Sequence, residues 1–157
     1  MARLAALLLV TALMAVPVAG CGGDDDGGGG GEELDGPAAE ETVKDYLRGL
    51  SGGDGEAACD TFTDDYREGI VERNQATAEN LDASNCEELL EGLHKQVTEA
   101  GEWKFEGEDL TPEAVDDLDL RSEVDGESAT VRGPEGKQIF ELEAVDDEWK
   151  IDSIEMG

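Results

Sequence analysis

The side chains that could do chemistry in this sequence are few: Cys21, Cys59, Cys86, the single histidine His94, and Tyr46 and Tyr66. Thiols serve as nucleophiles, metal ligands or disulfide partners, and an imidazole or phenol moves protons when a neighbour tunes and orients it. No metal centre is indicated, because Cys59 and Cys86 lack a second Cys or His nearby at zinc-like spacing. His94 stands four residues after Leu90 and three before Val97, at the margin of an apolar helical stripe, with no orienting partner marked in the sequence. We read it as structural or exposed. Tyr46 and Tyr66 fall on apolar helical faces and read as core residues, as do Phe140 and Trp149 on strands. Other motifs fail on inspection. Arg121-x-Glu123-x-Asp125-Gly126 puts Arg121 at the first ligand position of a calcium loop and Arg132 at the last. The glycines after Cys21 lack the lysine and helix of a phosphate loop, and no serine carries a hydrolase motif. The expectation is a chain with no catalytic residue, no cofactor and no metal, hence not an enzyme.

Cys21 belongs to a different chemistry. Arg3 precedes an uncharged run from Leu4 to Val16, Pro17 breaks it, and Val18-Ala19-Gly20 sets small residues directly before Cys21. Charge, apolar run, small residues and cysteine in that order make a signal peptide, and this one resembles the lipobox of bacterial lipoproteins. The resemblance implies cleavage before Cys21, a thioether-linked lipid on it, and a chain held on the extracytoplasmic face of a membrane. An uncleaved anchor is the alternative. Leu4 to Ala19 would span only about 24 Å as a helix, against a hydrocarbon core of roughly 30 Å.

With Cys21 lipidated, Cys59 and Cys86 remain as a pair, and an exported location favours a disulfide between them over two buried thiols. Such a loop closure would restrict the unfolded chain by roughly 3.5 kcal/mol. The chain carries 41 acidic against 11 basic residues, a formal charge of −30, and every acid lies beyond Cys21. That surface repels phosphate backbones and excludes nucleic acid as a partner. The acids are spread along the chain, which fits a solvated surface, or a high-salt habitat, more than one cation site.

These residues must be carried by three segments. Residues 1–20 are the signal peptide. Residues 21–36 are the modified cysteine and a Gly/Asp-rich stretch, expected to be disordered and to act as a tether of about 20 Å r.m.s. reach. Residues 37–157 are the size of one domain. In it Ala39, Val43, Tyr46, Leu47 and Leu50 share a helical face that ends at Gly52-Gly53. Asp54 caps a second helix through Cys59 and Phe62, which Thr63 restarts toward Tyr66 and Ile70. Ser84 and Glu87 form a capping-box pattern for a third, with Cys86, Leu89, Leu90, Leu93 and Val97 on one stripe up to Gly101. Beyond Trp103 the period becomes two. Leu118 to Val124, the Asp125-Gly126 turn and Ala129 to Val131 read as a hairpin, and Lys137 to Val145 with Trp149 and Ile151 as a second. The fold class expected is α+β: three N-terminal helices packed on a curved antiparallel sheet of about four strands.

Several local phrases are similar to the nuclear transport factor 2-like superfamily, particularly its small lipoprotein members of unknown function. They are Ala38 to Val43 through Tyr46-Leu47 and Leu50, Gly53-Asp54, Ala57-Ala58-Cys59, and Glu148-Trp149-Lys150-Ile151. The resemblance spans most of Pro37 to Ile154 and implies a curved sheet around helices, often enclosing an apolar pocket. Three functions follow from it. The first is a non-enzymatic binding or accessory domain that meets another envelope protein. The second is an isomerase or dehydratase with an Asp, His or Tyr in the pocket, and the third is a carrier of a small apolar ligand.

Overall fold

The computed structural model describes residues 34–101 and 104–156. The signal peptide, Cys21 and most of the expected tether lie outside them. Leu34 to Gly36, assigned to the tether above, belong instead to the domain. Leu34 packs against the core, the Asp35 side chain accepts from Ala38 N (2.9 Å), and the Asp35 carbonyl accepts from the Trp149 indole (3.1 Å). Capping by an aspartate and the deep seat of Trp149 outweigh the polar composition there.

Six helices occur among the described residues: α1 (Gly36–Gly52), α2 (Gly55–Asp60), α3 (Asp64–Arg73), α4 (Gln75–Leu81), α5 (Cys86–Ala100) and α6 (Pro112–Val115). The expectation of three is corrected in three places. The second helix is broken because residues 61–63 leave it to pair with the sheet: Ile151 N donates to Thr61 O (2.8 Å) and Thr63 N to Ile151 O (3.0 Å). Thr63 then caps α3 through Tyr66 N. Helix α4 buries only Ala78 and lays Leu81 against Gly92, too narrow a stripe to register as a periodic signal. Helix α6 is a single turn capped by Thr111 with Pro112 in its first turn, too short to show a helical period in the sequence. The cap of α5 is also shifted by one residue. Asn85, not Ser84, accepts from Glu88 N (2.9 Å), and the Glu88 carboxylate reaches back to Ser84 N and Oγ (2.8 and 2.7 Å).

The described residues also form six strands, with α6 between the second and third: β1 (Lys104–Phe105), β2 (Glu108–Asp109), β3 (Arg121–Asp125), β4 (Ser128–Arg132), β5 (Gln138–Val145) and β6 (Glu148–Met156). The last four form an antiparallel meander in the order β3-β4-β5-β6, and β1 with β2 forms a separate hairpin. The molecule is therefore α+β with a four-stranded antiparallel sheet. Strand β3 starts at Arg121 and not at Leu118, because Leu118 and Leu120 are buried in the connection from α6. Gly126 supplies the positive φ (66°) of the β3–β4 turn, whereas the β5–β6 turn places two aspartates, Asp146 and Asp147, at φ 51° and 66°. Opposite Glu141 and Leu142 the β6 register shifts by one, leaving Asp152 as the extra residue.

The two sheet faces differ completely. Ala129, Val131, Phe140, Leu142 and Ile151 point to the helices and are buried, with α1 crossing β3, β4 and β6. Their neighbours Glu123, Asp125, Arg132, Glu141 and Glu143 point to solvent. Edge strand β3 is guarded by α1: Ser122 donates its N–H (3.1 Å) and its hydroxyl (2.7 Å) to Glu40 Oε1, which occupies an edge donor otherwise open to a foreign strand.

Candidate functional site

The interior between α1 and the sheet is where a pocket of the expected fold would open, and aromatic rings occupy it. Tyr46 comes from α1, Phe62 from the segment after α2, Tyr66 from α3, Phe105 from β1 and Phe140 from β5. Tyr46 lies 5.3 Å from Phe62 and 6.1 Å from Phe140 between ring centroids. Phe62 meets Tyr66 edge-on at 4.9 Å, and Phe105 stacks on Phe140 at 6.3 Å. These spacings are those of attractive, interlocked ring pairs. The buried polar residues among those described, Ser51, Thr61 and Thr63, carry hydroxyls. Their hydroxyls donate to Arg48 O (3.3 Å), Ala58 O (2.7 Å) and Asp152 Oδ1 (3.0 Å). Among the described residues no buried side-chain nitrogen or oxygen lacks a partner.

Both tyrosines stay protonated well into the alkaline range. Burial pushes the Tyr46 phenol far above its ordinary value, and the nearby Tyr66 adds to the rise. Tyr66 is raised by burial too; the Arg73 guanidinium, 4.8 Å above its ring, opposes that rise and Asp152 reinforces it. A phenol displaced in this direction is a poor proton donor at neutral pH.

A cleft of about 370 Å³ opens on the surface between α1, α2 and the β5–β6 turn, lined in part by Ala38, Thr42, Trp149, Asp60 and Lys150. Several of its polar groups are engaged with the protein. Thr42 Oγ1 donates to Ala38 O (3.2 Å), Lys150 Nζ donates to Asp60 O (3.1 Å) and pairs with Glu148 (3.0 Å). Among the described residues no group of three or more His, Cys, Asp or Glu is arranged to hold a metal ion, and no helix is long and apolar enough to cross a membrane.

Cys59 and Cys86 are bonded to each other, with Cα atoms 6.1 Å apart, joining α2 to the first turn of α5. Arg67 of α3 reinforces the junction through Asp60 (2.8 Å) and Glu87 (2.7 Å). His94 packs at the C-terminus of α1. Its Nδ1 lies 3.1 Å from Leu50 O and its Nε2 3.4 Å from Thr98 Oγ1, with Cδ2 close above Gly53, where an added Cβ would come within 2.8 Å of it. Gly53 is thus required twice, for its φ of 77° and for this contact.

Sequence reasoning missed the β1–β2 hairpin and its two consequential residues, Phe105 and Glu106. The strands are two residues long, too short to show alternation. The available signal was Glu106-Gly107, a glycine-containing pair between two short flanks. The structure gives both turn residues positive φ, 47° and 93°. Comparison of the chain with models of known protein families, with curated proteins and with solved structures returns no match.

Proposed function

We propose that this chain is a lipoprotein, anchored through Cys21 on the extracytoplasmic side of the cell membrane, whose domain is a non-enzymatic binding or accessory module of the nuclear transport factor 2-like type. The observation that carries the non-enzymatic reading is the interior. Five interlocked rings fill the space between α1 and the sheet, and the buried polar residues among those described carry hydroxyls bonded within the protein. General acid-base chemistry needs an ionisable group of tuned pKa within reach of a bound substrate; the ionisable rings of this interior, Tyr46 and Tyr66, are pushed upward by burial, away from such tuning, and pack against the other rings. The anchoring rests on the residues around Cys21 and gains support from the Cys59–Cys86 bond, which suits an oxidising compartment. A carrier of a small apolar ligand is the second reading, favoured by the placement of Phe105 on a hairpin outside the main sheet.

Intact mass measurement of the protein extracted from its native membranes tests the anchor. A chain beginning at a lipid-modified Cys21 is expected, and recovery of intact Met1, or of unmodified protein in the medium, would overturn it. Xenon derivatisation of crystals tests the filled interior. Occupancy among Tyr46, Phe62 and Phe140 in the resting protein would contradict it.

A further inference from the structure

The cleft between α1, α2 and the β5–β6 turn carries one carboxylate that the protein itself does not engage. Its volume of about 370 Å³ falls within the range of small-molecule sites. Four carboxylates line it, those of Asp45, Asp60, Asp147 and Glu148, against one ammonium, that of Lys150. Three of the four are held in ion pairs: Asp45 with Arg48 (2.5 Å), Asp60 with Arg67 (2.8 Å) and Glu148 with Lys150 (3.0 Å). The two guanidiniums are shared further, Arg48 with Glu41 and Asp116 and Arg67 with Glu87, so the pairs leave the surroundings negative. Asp147 has no hydrogen-bond or ion-pair partner among the described residues.

The turn does not account for an acid at this position. Asp146 and Asp147 take φ of 51° and 66°, angles that Asn and Gly adopt more readily than Asp. The remaining lining includes Ala38, Ala57 and Trp149, whose indole N–H is spent on the Asp35 carbonyl (3.1 Å). One free carboxylate is too few for a divalent metal, and no group of three or more metal donors occurs among the described residues. It suits a single monovalent cation with an apolar side. We propose that the cleft binds a small organic amine, its ammonium paired with Asp147 and its short apolar body against Ala38, Ala57 and Trp149. The formal charge of −30 draws cations to the whole surface, so charge alone does not define the place; the walls of the cleft do. The proposal rests on the binding-module reading, for which it names the ligand class, and is independent of the anchor at Cys21.

The test is calorimetric titration of the full-length protein with phenethylammonium chloride, with 2-phenylethanol as the uncharged counterpart. Phenethylammonium should bind, and 2-phenylethanol should bind about fivefold more weakly, the size of one solvent-facing ion pair. Asp147→Asn removes the charge while suiting the positive φ, and should weaken phenethylammonium binding by about the same factor. Asp146→Asn makes the same change one position earlier, outside the cleft lining, and should leave affinity unchanged. Ala57→Phe, at an exposed position of α2, sets a ring in the cleft and should abolish binding. Absence of binding to the unsubstituted protein would overturn the proposal. So would equal weakening by Asp146→Asn and Asp147→Asn, since the amine would then respond only to a generally acidic surface, and so would undiminished binding in Ala57→Phe, since it would then lie elsewhere. The binding-module reading falls on a different result, xenon occupancy among Tyr46, Phe62 and Phe140.

Discussion

Two junctions close the same core by opposite means. On one, α2, α3 and α5 are tied by the Cys59–Cys86 bond, by Arg67 bridging Asp60 and Glu87, and by residues 61–63 pairing with Ile151. On the other, β1 and β2 are held by the buried Phe105 and Leu110 side chains and by one carboxylate reaching two backbone N–H groups. The first junction is covalent and redundant; the second rests on noncovalent contacts, two hydrogen bonds from one surface carboxylate with Phe105 and Leu110 buried behind them. Stability is not spread evenly over a domain, and a place where few contacts must break opens most cheaply. The contrast leads us to expect that the hairpin opens at a lower free energy than the disulfide-bonded junction.

The contrast sharpens or breaks with mutation. Phe140→Ala removes a fully buried ring that meets Tyr46 edge-on and stacks on Phe105, and denaturant unfolding should show a loss of about 3–5 kcal/mol. Phe105→Ala should cost less than half as much, because the hairpin can settle into the space. Equal losses would mean that the two rings are equally embedded. Cys59→Ser should lower stability by about 2–5 kcal/mol, with Cys86→Ser similar and the double variant no worse than either. A smaller loss than that from Glu106→Gly would invert the comparison.

Much of this architecture was legible in the sequence where one-dimensional chemistry governs it. The stripe of α1, the caps at Asp54 and Thr63, the glycine stops at Gly53 and Gly101 and the cysteine pairing are local or arithmetic signals. What escaped depends on partners distant in the chain. Residues 61–63 leave the helical path because Ile151 supplies hydrogen bonds, and Leu34 and Asp35 leave the acidic stretch because Trp149 lies 114 residues further on. Glu106 looked like one more solvated acid among 41, and only the loop folded beneath it gives it a partner.

Smaller effects probe the helical and sheet side. The β5–β6 turn strains Asp146 and Asp147 at positive φ, so Asp146→Asn with Asp147→Gly should raise stability by about 1 kcal/mol in thermal or denaturant unfolding. No gain would mean that the aspartates hold the turn through contacts that offset the strain. Tyr46 should make the core sensitive to alkali. Its phenol is raised in the folded state and titrates near pH 10 when unfolded, so its contribution is fully present below about pH 10 and is lost as pH rises beyond it. Tyr46→Phe should flatten part of that decline, and an identical alkaline limb in both proteins would show that other groups cause it.

The most direct measurement is native-state hydrogen exchange on the full-length protein. The account predicts that the amides of Glu135 and Gln138, which donate to Glu106, and those of β1 and β2 exchange through an opening far cheaper than unfolding, while the β4–β5 ladder stays protected to the global limit. Exchange of both sets at the same, global free energy would contradict it, since the hairpin would then open no more cheaply than the rest of the core.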